Sequence, residues 1–563
     1  MIASVPRKMF LSQFAVAILF AASITQTKAD TGPVEASPRD LGTANATPQA
    51  AAGEIDRLLQ EEVLANLSAG QTLASVTSDQ AFLRRVYFDF VGEPPTPGET
   101  TAFCLDPSPD KRTKLVERLL ADKRFGRNWG RYWRDVILYR RSADQALLAS
   151  QSLETFLIGQ FNGQPRWNAI AKSFITAQGN IYDKGETGLF MAHLAEPVEV
   201  AAETSRIFLG IQIQCAQCHD HPTDRWKRQQ FHEFVAFFPR ASMRRQPTQP
   251  PTFELTSFDM GPQRRRPGMM TGRGSLEHFM PNLKDPASEG SLMMPVFFAT
   301  GDKLPTGTTD HERRHALAAW LTSPNNPWFA TALVNRLWAE LVGEGFYEPI
   351  DDLGPDRSAS APRTLDYLCR QFVAHDYDVK WLMGAIASTD AYQRESRPRR
   401  HPDQVPFAAN VAYRLRADQL FDAVALAVGV SFDTSSRTPA RAGLGFRGGP
   451  RFAFAQQFGY DPSVRRDEIT STIPQVLSLM NSPLVNQRIT GRQPGGALAR
   501  LLDGPQDDEA VPVELYLRCL CREPNDAELA VCLDHVKSTP DRAEAFGDIF
   551  WSLLNSQEFL YRN

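Results

Sequence analysis

Eight residues constrain this chain more than any other stretch: Cys215-Ala216-Gln217-Cys218-His219-Asp220-His221-Pro222. Two thiols three positions apart, with a histidine directly after the second, form the attachment pattern of a c-type haem. Residues i and i+3 share one face of a helical turn. Both sulfurs can therefore reach the vinyl groups of one porphyrin while His219 meets the iron. His221 makes the stretch denser than that pattern requires. Two alternatives stay open. A structural zinc held by Cys215, Cys218, His219 and His221 uses ordinary zinc ligands, and a local Cys215–Cys218 disulfide needs no cofactor.

The compartment agrees with the motif. Arg7 and Lys8 precede an apolar run from Met9 to Ile24, and Thr27 and Ala29 are the small residues of a cleavage site, so residues 1–29 read as an export signal. The run is shorter than the roughly 20 apolar residues a spanning helix needs, and no later stretch is long and apolar enough to span once the signal is removed. The expected location is the periplasm or cell surface. The other cysteines, Cys104, Cys369, Cys519, Cys521 and Cys532, are scattered and read as core residues rather than a disulfide framework. A net charge of −4, from 61 basic and 65 acidic residues, argues against a nucleic-acid protein.

Helical spacing dominates both halves, so the fold class is mainly α, with two packed multi-helical domains and few short strands. Residues 30–52, rich in Ala, Pro, Thr and Gly, read as a disordered leader. Helices follow over 55–67, 79–90, 107–120, 125–139, 153–161 and 167–176, with Pro94-Pro95-Thr96-Pro97 as a turn. The run 198–214 delivers the chain into Cys215, which places the motif at the C-terminal end of a helix. A second helix over 226–238 carries His232. Candidate distal ligands are His193, His232 and Met191. Residues 241–309, with Met243-Arg244-Arg245 and Gln263-Arg264-Arg265-Arg266-Pro267, read as a basic Pro-rich linker or insertion, and 295–300 as a short strand. The second helical domain covers 310–563.

The stretch Phe82-Leu83-Arg84-Arg85-Val86-Tyr87-Phe88-Asp89-Phe90-Val91-Gly92, then Lys114-Leu115-Val116-Glu117-Arg118, then Phe208-Leu209-Gly210 leading into the cysteine motif and Trp226, resembles domain of unknown function 1549. That is the cytochrome-associated module of planctomycete-type exported proteins. Asn326-Pro327 with Val334-Asn335-Arg336-Leu337-Trp338, then Asp351-Asp352, Asp378-Val379-Lys380 and Ala391-Tyr392-Gln393-Arg394, resembles its partner, domain of unknown function 1553, as do Pro474 to Pro483 and Leu553 to Leu560. The departures are Asp89-Phe90-Val91-Gly92-Glu93 in place of Asp-Leu-Thr-Gly-Leu, and Ala361-Pro362-Arg363 in place of Ser-His-Pro. The resemblance covers roughly residues 52 to 563, with a DUF1549-like helical domain at 53–240 and a DUF1553-like one at 310–563, and it implies a cytochrome association. It implies no mechanism.

Three functions follow as expectations. The first is an exported redox or electron-transfer protein with haem c on Cys215 and Cys218, His219 as iron ligand, and exported redox or surface-complex proteins as partners. The second is a helical scaffold or binding module with a zinc site. The third is an enzyme acting on an extracellular polymer through Asp351, Asp352, Asn335 and Arg336.

Overall fold

Thr47 and Pro48 open the first described helix. The Thr47 hydroxyl accepts the Ala50 N–H at 3.2 Å, and Pro48 sits where a helix has no use for its missing N–H. The helix Pro48–Glu62 therefore starts seven residues before the expected boundary at Ile55. The computed structural model describes residues 46–67, 71–248, 251–259, 277–305, 307–398, 404–430, 449–492, 495–504 and 507–563. The export signal read at 1–29, the leader up to residue 45, the arginines at 264–266 and the glycine-rich stretch 443–448 lie outside the described residues.

The fold is mainly α, with small sheets of short strands. The helix Asp79–Val91 begins on the Ser78 cap and stops where Gly92 turns left-handed. The segment read as a plain turn at Pro94–Pro97 leads straight into the helix Pro97–Leu105. Its Thr96 and Glu99 form a reciprocal capping box, a signature already present in the sequence.

The basic segment differs from the loop or linker expected. Ala241–Gln246 pairs antiparallel with Thr252–Ser257 in the register Ala241↔Ser257 through Gln246↔Thr252, and Gly179–Asn180 joins the far side of Thr252–Ser257. Phe253 and Leu255 explain this. They alternate along the strand and are buried, while Arg244 and Arg245 lie exposed on the neighbouring strand. Val296–Phe297 is a strand as expected, paired with Asp302–Lys303.

The described residues cluster as one compact unit. A single apolar core takes side chains from both helical halves, from Ile55 and Trp129 through Phe208 to Trp338 and Phe372. The helix Pro197–Leu209, which leads to the cysteine motif, packs against Pro327–Val342. At its end the Gly210 carbonyl accepts the Leu353 N–H at 2.6 Å. Gly210 has φ +65°, and a Cβ there would sit 2.7 Å from Leu353 Cδ1 and 3.3 Å from the Ala332 methyl. A glycine is needed on both counts. A second core gathers Phe88 with residues from Leu415 to Phe559.

Candidate functional site

Gly210 also decides where the motif sits. The helix Pro197–Leu209 ends there instead of running to Gln214, and the Ser205 hydroxyl closes the bend by donating to the Ile211 carbonyl at 2.8 Å. Cys215 lies on a separate short 3-10 turn, Ile213–Ala216. The motif is thus beyond the helix, not at its end. Ile213 and Ala216 are fully buried and anchor the turn, while Cys215 and Cys218 are exposed free thiols.

The two histidines are held in opposite tautomers. His219 is exposed, and its Nδ1 lies 2.7 Å from the Asp220 carbonyl oxygen. A carbonyl can only accept, so Nδ1 carries the proton and Nε2 keeps its lone pair. His221 is half-buried, and its Nδ1 accepts the Thr223 N–H at 3.3 Å. In the neutral ring its proton then lies on Nε2. The His221 backbone N–H closes the loop on the Trp226 carbonyl at 2.8 Å. The Asp220 carboxylate accepts the Arg228 N–H at 3.0 Å and meets Lys227 Nζ at 3.1 Å, and these bonds hold its carboxyl below the ordinary range.

The middle of the motif is pinned from below. The Gln217 carbonyl accepts from Arg228 Nε at 3.2 Å and from His232 Nε2 at 3.0 Å, both on the helix Arg228–Val235. Arg228 Nη2 reaches on to the Pro281 carbonyl at 2.6 Å. Since His232 Nε2 is a donor, its Nδ1 accepts from His278 Nε2 at 2.8 Å, the two rings stacked 17° apart. Of the three distal-ligand candidates, His232 therefore has both ring nitrogens engaged within the fold. Met191 is enclosed with Ala149, Ile181 and Phe253. His193 bonds Ser142 Oγ through Nδ1 at 2.7 Å and keeps a buried Nε2 with no hydrogen-bond partner among the described residues. The pinning by Gln217, Arg228, His232 and His278 is invisible in sequence, where 46 residues separate the two stacked rings.

Burial pushes His232 down to about 4. Its folded value lies below the unfolded one near 6.5. The stability it contributes is therefore whole above pH ~6.5 and is lost as pH falls from there towards 4, because the unfolded chain takes the proton first. Denaturant titrations at pH 7 and pH 5 should show a loss of about 1–2 kcal/mol that a His232→Gln variant does not share. Equal losses in both proteins would contradict the assignment.

Beside Cys215 a pocket of about 190 Å³ is lined by Arg140, Glu203, Arg206, Gln212 and Gln214. Its floor is a buried ionic network. Arg206 forks onto Glu203 at 2.9 and 2.6 Å and reaches Asp351 at 3.1 Å and Ser463 Oγ at 2.8 Å, with Arg336 3.7 Å from the same Asp351 oxygen. Burial raises the Asp351 carboxyl, but Arg206, Arg336 and Arg140 outweigh it and hold it below the ordinary range. So Asp351 and Arg336 do meet. Asn335 does not join them: it staples the following loop through the Tyr347 N–H and the Tyr347 and Ile350 carbonyls. Asp352 pairs with Arg357. Asp351 is 1% exposed, with its oxygens taken by Arg206 and Gln212, which makes this cluster a joint rather than an open reaction site. Glu203 and Arg206, three apart on one helix, were the signal that could have pointed to it. Among the described residues no three His, Cys, Asp or Glu side chains are placed to hold a metal ion.

The sequence matches the family model described as PSCyt2, protein of unknown function (DUF1549), over residues 54–243, and the one described as PSD1, protein of unknown function (DUF1553), over residues 313–441. The chain carries a DUF1549 module followed by a DUF1553 module. No curated protein and no solved structure matches it. The cysteine motif and two of its pins, Arg228 and His232, lie in the DUF1549 span, whereas Arg336 and Asp351 lie in the DUF1553 span. The Arg206–Asp351 and Gly210–Leu353 contacts therefore join the two family modules directly beneath the motif. Among the described residues no helix is long and apolar enough to cross a membrane.

Proposed function

We propose that this DUF1549–DUF1553 protein is an exported electron-transfer protein whose Cys215 and Cys218 carry one covalently bound haem. One observation carries the reading: the His219 ring is oriented by a backbone carbonyl so that Nε2 is left as a ligand nitrogen, and both thiols beside it are free and exposed. Histidines that bind metals commonly donate their other ring proton to a carbonyl or carboxylate in this way. His221 has the reverse arrangement, which favours the haem pattern over a four-ligand zinc site that needs both histidines.

The residues present fit such a group. When bound, haem supplies a one-electron iron couple. Cys215 and Cys218 would hold it through thioethers, and His219 would supply a ligand nitrogen from a ring oriented by the Asp220 carbonyl. Asp220 is in turn tethered to Arg228 and Lys227. Gln217, gripped by Arg228 and His232, keeps the turn in place. The position of the motif on the surface suits exchange of electrons with exported redox or surface-complex proteins. Export itself is supported by the signal pattern at 1–29.

Potentiometric titration of protein matured in a host able to attach haem c tests this. A single reversible one-electron transition is expected. Protein that is colourless and silent over the accessible range would overturn the reading.

A further inference from the structure

The helix Asp310–Leu321 carries His311-Glu312-Arg313-Arg314-His315 on its first turns. Two histidines four apart lie on one helix face and form a ready pair of metal ligands. Here both are exposed, and their rings stack with centroids 3.8 Å apart and planes 24° from parallel. His315 Nδ1 lies 2.8 Å from the His311 carbonyl oxygen, so it donates its proton there and leaves the Nε2 lone pair free. This is the same outer bond that orients metal-bound histidines elsewhere. Among the described residues no hydrogen bond holds the His311 ring, so it can rotate to match its partner.

The pattern His-Glu-x-x-His on a helix also belongs to zinc peptidases, in which the glutamate serves as base. That chemistry is not available here. Glu312 Oε2 accepts the Thr309 N–H and hydroxyl, each at 2.8 Å, and closes the capping box that starts the helix. No third protein ligand converges on the pair among the described residues. We infer that His311 and His315 form a bidentate surface site for a borderline divalent transition metal, with Ni²⁺, Cu²⁺ or Zn²⁺ bound by two imidazoles and completed by water. Imidazole suits these ions. The positive end of the helix dipole opposes a cation at this place, so the chelate of two neutral ligands is needed to hold one.

The site is independent of the cysteine motif, and the test separates the two. The full chain, freed of any affinity tag and carrying Cys215→Ser and Cys218→Ser, is titrated calorimetrically with Ni²⁺. Its Cu²⁺ adduct is examined by electron paramagnetic resonance. One equivalent of Ni²⁺ should bind, and His311→Ala or His315→Ala should each weaken it by at least about tenfold. The copper spectrum should lose its two-imidazole nitrogen coupling in either variant, while His535→Ala leaves both readouts unchanged. Both side chains are exposed, so an unchanged melting temperature shows that the ligand and not the fold was lost. Absence of binding, binding indifferent to both substitutions, or binding removed instead by His219→Ala and His221→Ala would overturn the inference.

Discussion

Replacing Arg562 with alanine should lower the unfolding free energy by about 3–5 kcal/mol, the usual effect of stranding one member of a buried ion pair. Arg562 is 1% exposed and forks onto Asp89 Oδ1 and Oδ2 at 2.9 and 2.6 Å. It also donates to Asn410 Oδ1 and to the Leu341 carbonyl. Asp89 sits on the helix Asp79–Val91, where Tyr392 OH adds a bond at 2.8 Å. One guanidinium thus ties together that helix, the helix Pro327–Val342, the loop at Asn410 and the strand Tyr561–Arg562. Burial alone pushes the Asp89 carboxyl upward, and Arg562 is the largest influence opposing it. Without Arg562 the buried carboxylate must either take up a proton or remain charged with only Arg85 and the Tyr392 hydroxyl to support it. Guanidinium titration measures the loss. An Asp89→Leu/Arg562→Met double variant should be less destabilised than the two single substitutions added together, because it removes both charges. A loss below about 1 kcal/mol in Arg562→Ala would show that the pair is looser than drawn.

The second large effect falls on the motif. In protein matured with haem, Cys215→Ser and Cys218→Ser should each weaken or abolish covalent retention, since each removes one thioether. His219→Ala leaves both sulfurs, so haem should be retained with an altered spin state and potential. His221→Ala should change neither retention nor spectrum, because its Nδ1 is spent on the Thr223 N–H and its backbone, not its ring, closes the loop on Trp226. The zinc reading orders these variants differently. There, loss of His221 should release metal and destabilise the fold, because metal-binding energy is folding energy. Absorption spectra of the two histidine variants side by side distinguish the models.

The helices were legible because their signals are local. Apolar spacing marked Lys111–Ala121 and Lys123–Leu138, and Asn326 followed by Pro327 is a local start signal for Pro327–Val342. Even the helix Pro97–Leu105, passed over behind the turn read at Pro94–Pro97, had its Thr96/Glu99 box in plain view; four residues with three prolines simply spoke louder. The strand Thr252–Ser257 carried a period of two in Phe253 and Leu255 that the surrounding arginines and prolines masked. The motif was legible as a pattern of residue types, but its surroundings were not. Whether Gly210 would end a helix depended on Leu353 and Ala332 waiting beside it, more than 100 positions away. The tautomers of His219 and His221 are set by a carbonyl and an N–H whose directions only the folded loop defines. The Arg562–Asp89 pair spans 473 positions and has no local trace at all.

Peptide mass spectrometry tests most directly whether Cys215 and Cys218 bear the proposed haem. Protein exported from a host with haem-c maturation is denatured, alkylated and digested, and the peptide containing Cys215 to His221 is weighed. This peptide should carry the mass of one haem, neither cysteine should be alkylated, and the increment should disappear in the Cys215→Ser/Cys218→Ser protein. A wild-type peptide with both thiols alkylated, or with Cys215 and Cys218 joined only to each other, would contradict it.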